Sequence, residues 1–158
     1  MAINIHDYMI DHSDVDWANV LRDWAWLLPE RLKVWIMNRF GDLFLVFEDG
    51  SIQMLDVGAG TLERLADNRE DFCKKIDDEN NANDWLMIPL IDQLVAAGLT
   101  LKEGQCYGYC ISPILGGGYT VENSFVLSII GHYGVNASIH QQLKDVPDGT
   151  QVEICIKH

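Results

Sequence analysis

Cys106 lies within Gly104-Gln105-Cys106-Tyr107-Gly108, a glycine-x-nucleophile-x-glycine spacing that can lift a reactive side chain onto a sharp turn. Glu122 and then His132 or His140 follow in the acid-then-histidine order used by hydrolases of that design. Such an arrangement would make the chain a cysteine-dependent small-molecule hydrolase. The elbow, however, requires a helix directly after the nucleophile, and Ile111-Ser112-Pro113 continues instead as an extended segment. Triad chemistry also needs a base within hydrogen-bond reach of the thiol, which spacing alone does not provide. The stretch reads better as a packed strand whose glycines relieve crowding.

Three other constellations invite a chemical reading. Cys106, Cys110, His132 and His140 are the right atoms for a zinc tetrahedron, but the seven residues between the histidines break the close pairing that structural zinc sites favour. Asp56-Val57-Gly58-Ala59-Gly60 looks like the start of a glycine-rich cofactor loop, yet Leu62 stands where a third glycine should follow. A strand-to-helix turn is the expectation there. Gly116-Gly117-Gly118 is not followed by Lys-Ser or Lys-Thr, so a phosphate cradle is not expected either. No catalytic residue, metal ligand or cofactor site is therefore assigned, and the chain is expected not to be an enzyme.

The elements that must position these residues can be read from periodicity. Trp17, Val20, Leu21, Trp24 and Leu28 recur at helical spacing, Ser13 with Asp16 resembles a capping box, and Pro29 closes the segment. Three strands follow, Leu32 to Met37, Leu43 to Glu48 and Ile52 to Val57. Asp49-Gly50 suggests a two-residue type I′ hairpin turn between the last two. Leu62, Leu65, Phe72, Cys73 and Ile76 suggest a return to helix, with Asn68 placed to cap a second one. Asn80 to Asn83 reads as a polar loop. Pro89 opens the next helix and Gly98 ends it, Gln105 to Ile111 is a strand, and Phe125 to Ile130 fits either strand or buried helix. Ser138 can cap a short helix through Lys144, Pro147-Asp148-Gly149 is a turn, and Val152, Ile154 and Ile156 alternate as a closing strand. Helical and antiparallel blocks without a regular βαβ rhythm imply an α+β fold: a three-stranded meander plus C-terminal strands, packed with several helices.

Length and charge narrow the function classes. The chain of 158 residues fits one domain, 1–158. Its 48% hydrophobic content is enough for a real core. Eleven Lys and Arg against 24 Asp and Glu give a net charge of −13, which disfavours direct nucleic-acid binding, because such surfaces cluster cations against phosphates. Asp7, Asp11, Asp14 and Asp16 crowd the start and the first basic residue is Arg22, so no export-signal pattern is read. Apolar runs fall far short of the roughly 20 residues that span a bilayer. A soluble, cytoplasmic protein with free thiols is the expectation.

The charge is concentrated. Glu63, Asp67, Glu70, Asp71, Asp77, Asp78, Glu79 and Asp84 are only partly countered by Arg64, Arg69, Lys74 and Lys75. A solvated face that keeps the protein soluble accounts for such a run. It also suits a surface that meets a cationic cleft, where opposite charge speeds encounter. Glu70, Asp71, Asp77, Asp78, Glu79 and Asp84 are the candidate partner-binding residues.

Leu28-Pro29, Trp35, Asn38-Arg39-Phe40-Gly41-Asp42-Leu43-Phe44, Glu48-Asp49-Gly50 and Leu55-Asp56-Val57 together resemble a bacterial family once known only as a domain of unknown function. Gly104 to Gly108, Leu115-Gly116-Gly117 with Tyr119, Ile139-His140 and Lys144 to Gly149 extend the likeness, so the family-like core covers about 28–149. That family is associated with the C-terminal domain of immunity proteins paired with DNase effectors of type VI secretion systems. The resemblance implies a non-enzymatic immunity protein that binds and neutralises a basic cognate toxin, a nuclease, by occluding its cleft. It brings no catalytic residues. The alternatives are the Cys106 hydrolase and an interaction module for a regulatory partner.

Overall fold

The computed structural model describes residues 4–146. Its centre is a four-stranded antiparallel sheet in the order β1 (Leu32–Met37), β2 (Leu43–Phe47), β3 (Ile52–Asp56) and β4 (Thr61–Ala66). Alternation along β2 sends Leu43 and Leu45 into one hydrophobic cluster and Phe44 into another, so both faces of the sheet are covered. On the first face lie Trp24 and the helix α5 (Ile129–Leu143), through Tyr133 and Ala137. On the second lie α2 (Arg69–Ile76) and α3 (Glu79–Leu86), whose Phe72, Ile76, Ala82 and Leu86 pack with Phe44 and Ile52. A third cluster joins α4 (Ile88–Ala96) through Leu90, Ile91 and Leu94 to Phe40 and Tyr107. Tyr107 belongs to a separate two-stranded antiparallel sheet of β5 (Gln105–Tyr109) and β6 (Ser124–Ser128). The fold is α+β, as the alternation of blocks predicts.

Several local expectations are corrected by tertiary packing. The N-terminal helix is only α1 (Trp17–Val20), capped by Asp16 rather than Ser13 and followed by a 3-10 turn over Arg22–Trp24. Trp24 draws the chain out of α register: its ring is fully buried and its indole Nε1 donates to the Tyr133 carbonyl at 3.2 Å. The β2–β3 turn has three residues rather than two. The Gly50 N–H donates to the Phe47 carbonyl at 2.9 Å, the Phe47 N–H donates to the Ser51 carbonyl at 3.0 Å, and only Gly50 adopts positive φ, at +86°.

The residues after Gly60 form a strand, β4, not a helix, because the open edge of β3 offers backbone partners from Ile52 through Asp56. The Asp56 to Gly60 segment is therefore a hairpin turn between antiparallel strands, not the strand-to-helix turn expected of it. Asn80 to Asn83 lie inside α3, capped by Asp78 and held by Trp85 stacked on Phe72 at 5.4 Å. Phe125 to Ile130 is both strand and helix, changing at Ser128, whose Oγ accepts the Gly131 N–H at 3.0 Å. Ser138 is consequently interior to α5 rather than its cap. Asn68 caps α2, Pro89 lies in the first turn of α4 and Gly98 has φ +86°, as expected. The Pro147-Asp148-Gly149 turn and the Val152 to Ile156 strand lie outside the described residues.

Candidate functional site

Of the residues that suggested catalysis or metal binding, Cys106, His132 and His140 lie in the interior, whereas Cys110 and Glu122 are exposed. Cys106 sits within β5 with no exposed surface, and burial together with the nearby Asp42 carboxylate pushes its thiol far above the usual range. A neutral, inaccessible sulfur is a poor nucleophile. His132 is equally buried; desolvation lowers its pKa to about 4, against a weaker pull upward from the Phe40 carbonyl. Its Nδ1 lies 3.2 Å from the Asn136 amide nitrogen. The His140 Nε2 lies 2.8 Å from the Val57 carbonyl oxygen, and burial lowers its pKa too. Glu122 is exposed on the β5–β6 connection, apart from both imidazoles' hydrogen-bond partners. Among the described residues no group of three or more His, Cys, Asp or Glu side chains is placed to hold a metal ion.

Asp42 is the acidic group at this centre. It is almost wholly buried, with Oδ1 accepting the Val57 N–H at 2.9 Å and Oδ2 accepting from Asn38 Nδ2 at 3.1 Å. Burial, reinforced by the Asp56 carboxylate, holds its pKa well above the usual carboxylate range, while those two hydrogen bonds pull it down. The Tyr133 hydroxyl donates to the Gly41 carbonyl, locking the same turn onto α5. These bonds join the β1–β2 turn, the end of β3 and α5, so they fasten the sheet to α5.

The six candidate carboxylates lie on a different part of the molecule, α2 and α3, which cover one face of the sheet. Their roles divide. Glu70 pairs with Lys74 at 3.6 Å and Asp71 with Lys75 at 3.2 Å, one turn apart on α2. The Asp71 pKa is lowered, first by the Asp67 backbone N–H and then by Lys75. Asp78 caps α3, its Oδ1 accepting the Asn80 N–H at 2.9 Å. Asp77, Glu79 and Asp84 are exposed and make no ion pair among the described residues. They are the carboxylates most available to an incoming cation. An open groove of 980 Å³ nearby, between the β1–β2 hairpin and the start of α2, mixes both signs of charge and carries the Arg31–Glu48 pair at 3.2 Å.

The connection between β5 and β6 carries more than its triple glycine. Its Ile111, Ile114, Leu115 and Tyr119 stand outward, 57%, 45%, 39% and 53% exposed. Their sequence signal is a cluster of large apolar residues without period, Ile111, Ile114 and Leu115 before the glycines and Tyr119 directly after them.

Residues 66–140 match the family model of T6SS immunity protein Tdi1, C-terminal. No curated protein matches the chain. The resemblance seen in the sequence is thus borne out from the end of β4 to the last third of α5. The matched span holds all six candidate carboxylates and the entire β5–β6 connection. The β1–β3 meander, which also carries part of the resemblance, precedes it. Among the described residues no helix is long and apolar enough to cross a membrane.

Proposed function

We propose that this protein is a non-enzymatic immunity protein that binds a nuclease toxin of a type VI secretion system in the cytoplasm and occludes its cationic cleft. The match to the T6SS immunity family over 66–140 carries the reading, and the charge gives it a mechanism. A nuclease cleft is built to receive phosphates; carboxylates on a scaffold of net charge −13 compete for the same Lys and Arg side chains. Asp77, Glu79 and Asp84 are the carboxylates to do this, because Glu70, Asp71 and Asp78 are engaged locally. Burial of Cys106 favours this reading over the hydrolase.

The test is co-expression with the toxin encoded beside the gene. The cell should survive, and the two chains should co-elute from a sizing column. Survival without a complex would overturn occlusion. Replacing Asp77, Glu79 and Asp84 with Lys should slow association at least tenfold at low salt, and much less at high salt. An unchanged on-rate would move the electrostatic surface elsewhere.

A further inference from the structure

The 110–123 connection is ordered by its own hydrogen bonds, and its apolar side chains are left outside. Asn123 ties its neck: Oδ1 accepts the Ile111 N–H at 2.8 Å, and Nδ2 donates to the carbonyls of Ile111 at 2.9 Å and Gly118 at 2.8 Å. The Cys110 N–H donates to the Asn123 carbonyl at 2.8 Å. Across the loop, the Ser112 carbonyl accepts from Leu115 at 2.9 Å and Gly117 at 3.0 Å. Gly117 is obligatory, since a Cβ there would fall 1.8 Å from the Ile111 carbonyl oxygen. The loop is also seated on the body of the protein. Pro113 lies against Gly58, and Tyr119 meets Tyr109 edge to face at 5.6 Å.

A segment fixed this thoroughly has already met the entropic cost of ordering before any partner arrives, so its exposed apolar groups can contribute their desolvation directly to binding. Its electrical setting says what the partner looks like. The sequence has no Lys or Arg between Lys102 and Lys144. Asp56, whose charge acts on both Tyr109 and Tyr119, and the exposed Glu122 flank the patch. The complementary face is an apolar recess with a cationic rim. The patch is also linked to the carboxylate surface, because the Tyr109 hydroxyl donates to the Met87 sulfur at 3.8 Å, and Met87 directly follows α3.

We infer that this loop is the apolar anchor of the toxin interface, with Ile114, Leu115 and Tyr119 entering a recess on the toxin rimmed by Lys and Arg. The inference rests on the immunity reading and assigns the two surfaces separate tasks: α2–α3 steers the encounter, and the loop holds the complex together. Interfaces are held by a few desolvated apolar and aromatic anchors, whereas rim charges chiefly set the rate of approach.

The experiment uses the full chain and the neighbouring-gene toxin, inactivated by substitution, with association and dissociation measured separately. The Ile114→Ser, Leu115→Ser double variant should dissociate about 30-fold faster with its on-rate changed less than twofold, while the Asp77, Glu79, Asp84 to Lys variant shows the reverse. Unchanged dissociation of the loop variant overturns the anchor and leaves the immunity function standing. Failure of the unmodified chain to bind overturns both. Should the loop variant misfold, hydroxyl-radical footprinting of the unmodified complex decides: Tyr119 is protected if the anchor is right and labelled as in the free protein if it is wrong. A loop-dependent dimer of the free chain, with toxin binding untouched, would give the surface to a second copy and overturn the proposal.

Discussion

Asn38 and Asp42 grip one another across the β1–β2 turn: Asn38 Nδ2 donates to Asp42 Oδ2 at 3.1 Å, and the Asp42 N–H donates to Asn38 Oδ1 at 3.0 Å. Asn38 also reaches the Trp85 carbonyl at 2.9 Å, and Asp42 reaches the Val57 N–H. Two side chains thereby tie the sheet to α3 and to the end of β3. This buried polar clasp places α3, together with its Leu86 contact, while α2 packs through Phe72.

Asp42→Ala leaves the buried Val57 N–H without its acceptor and should cost about 1–3 kcal/mol of stability. The cost should depend on pH. Because the folded Asp42 pKa is raised above its unfolded value, the native state holds this proton more tightly. Its contribution is therefore fully present below about pH 4 and declines as pH rises through the folded pKa. Urea titrations of both proteins at pH 4.5 and pH 8 should show a smaller deficit for the variant at the higher pH. An equal deficit at both would mean that Asp42 titrates alike in the two states.

His132 acts in the opposite direction. Its folded pKa of about 4 lies below the unfolded value of 6.5, so the neutral, buried ring favours folding above pH 6.5 and this contribution is lost as pH falls toward 4. Relative to a His132→Gln variant, the protein should lose about 3 kcal/mol between pH 7 and pH 4, the figure that follows from a shift of about 2.5 pH units. Parallel denaturation curves for the two proteins across that range would refute it.

Gly60 has φ +69°, and a Cβ there would lie 2.7 Å from the His140 ring. Gly98 has φ +86° with open space around it, so it isolates the backbone term. Gly98→Ala should cost about 1–2 kcal/mol, the penalty of a left-handed L-residue. Gly60→Ala should cost more, because it also displaces the imidazole that sits 5.6 Å from Trp24 and 2.8 Å from the Val57 carbonyl. The near-UV circular dichroism of Trp24 should change only in the Gly60 variant. Equal costs and an unchanged spectrum would show that His140 moves aside freely.

The parts of the fold that were legible in the sequence were those in which local and tertiary preferences agree. β1, β2 and β3 read as apolar runs because both faces of their sheet are covered, and Asn68, Pro89 and Gly98 mark helix ends by their own backbone chemistry. β4 was misread because Leu62 and Leu65 suit a helix face, while its hydrogen-bond partner, β3, lies in an earlier stretch of chain. α5 was truncated because Gly131 and Gly134 lower helix propensity; Tyr133 and the buried His132 and His140 restore it through packing. At the candidate site, carboxylate positions were readable but not their local pairings, which depend on where α2 and α3 begin. The apolar anchor was hidden because an outward-facing Ile is indistinguishable by type from a buried one.

Cys106 supplies the sharpest discrimination between a binding protein and a thiol enzyme. Cys73 and Cys110 are exposed, whereas Cys106 is buried in β5, with its pKa raised by desolvation first and the Asp42 charge second. Alkylation requires the thiolate and access to it. Brief treatment of the native protein with iodoacetamide at pH 8, followed by peptide mapping, should therefore modify Cys73 and Cys110 and leave Cys106 intact until guanidinium is added. Labelling of Cys106 in the native state as fast as Cys73 would place a reactive thiol at the surface. Cys106→Ala would then have to be assayed as a loss of activity. If Cys106 is buried as observed, the same substitution is a packing change whose only readout is a lower melting temperature, with the toxin complex retained.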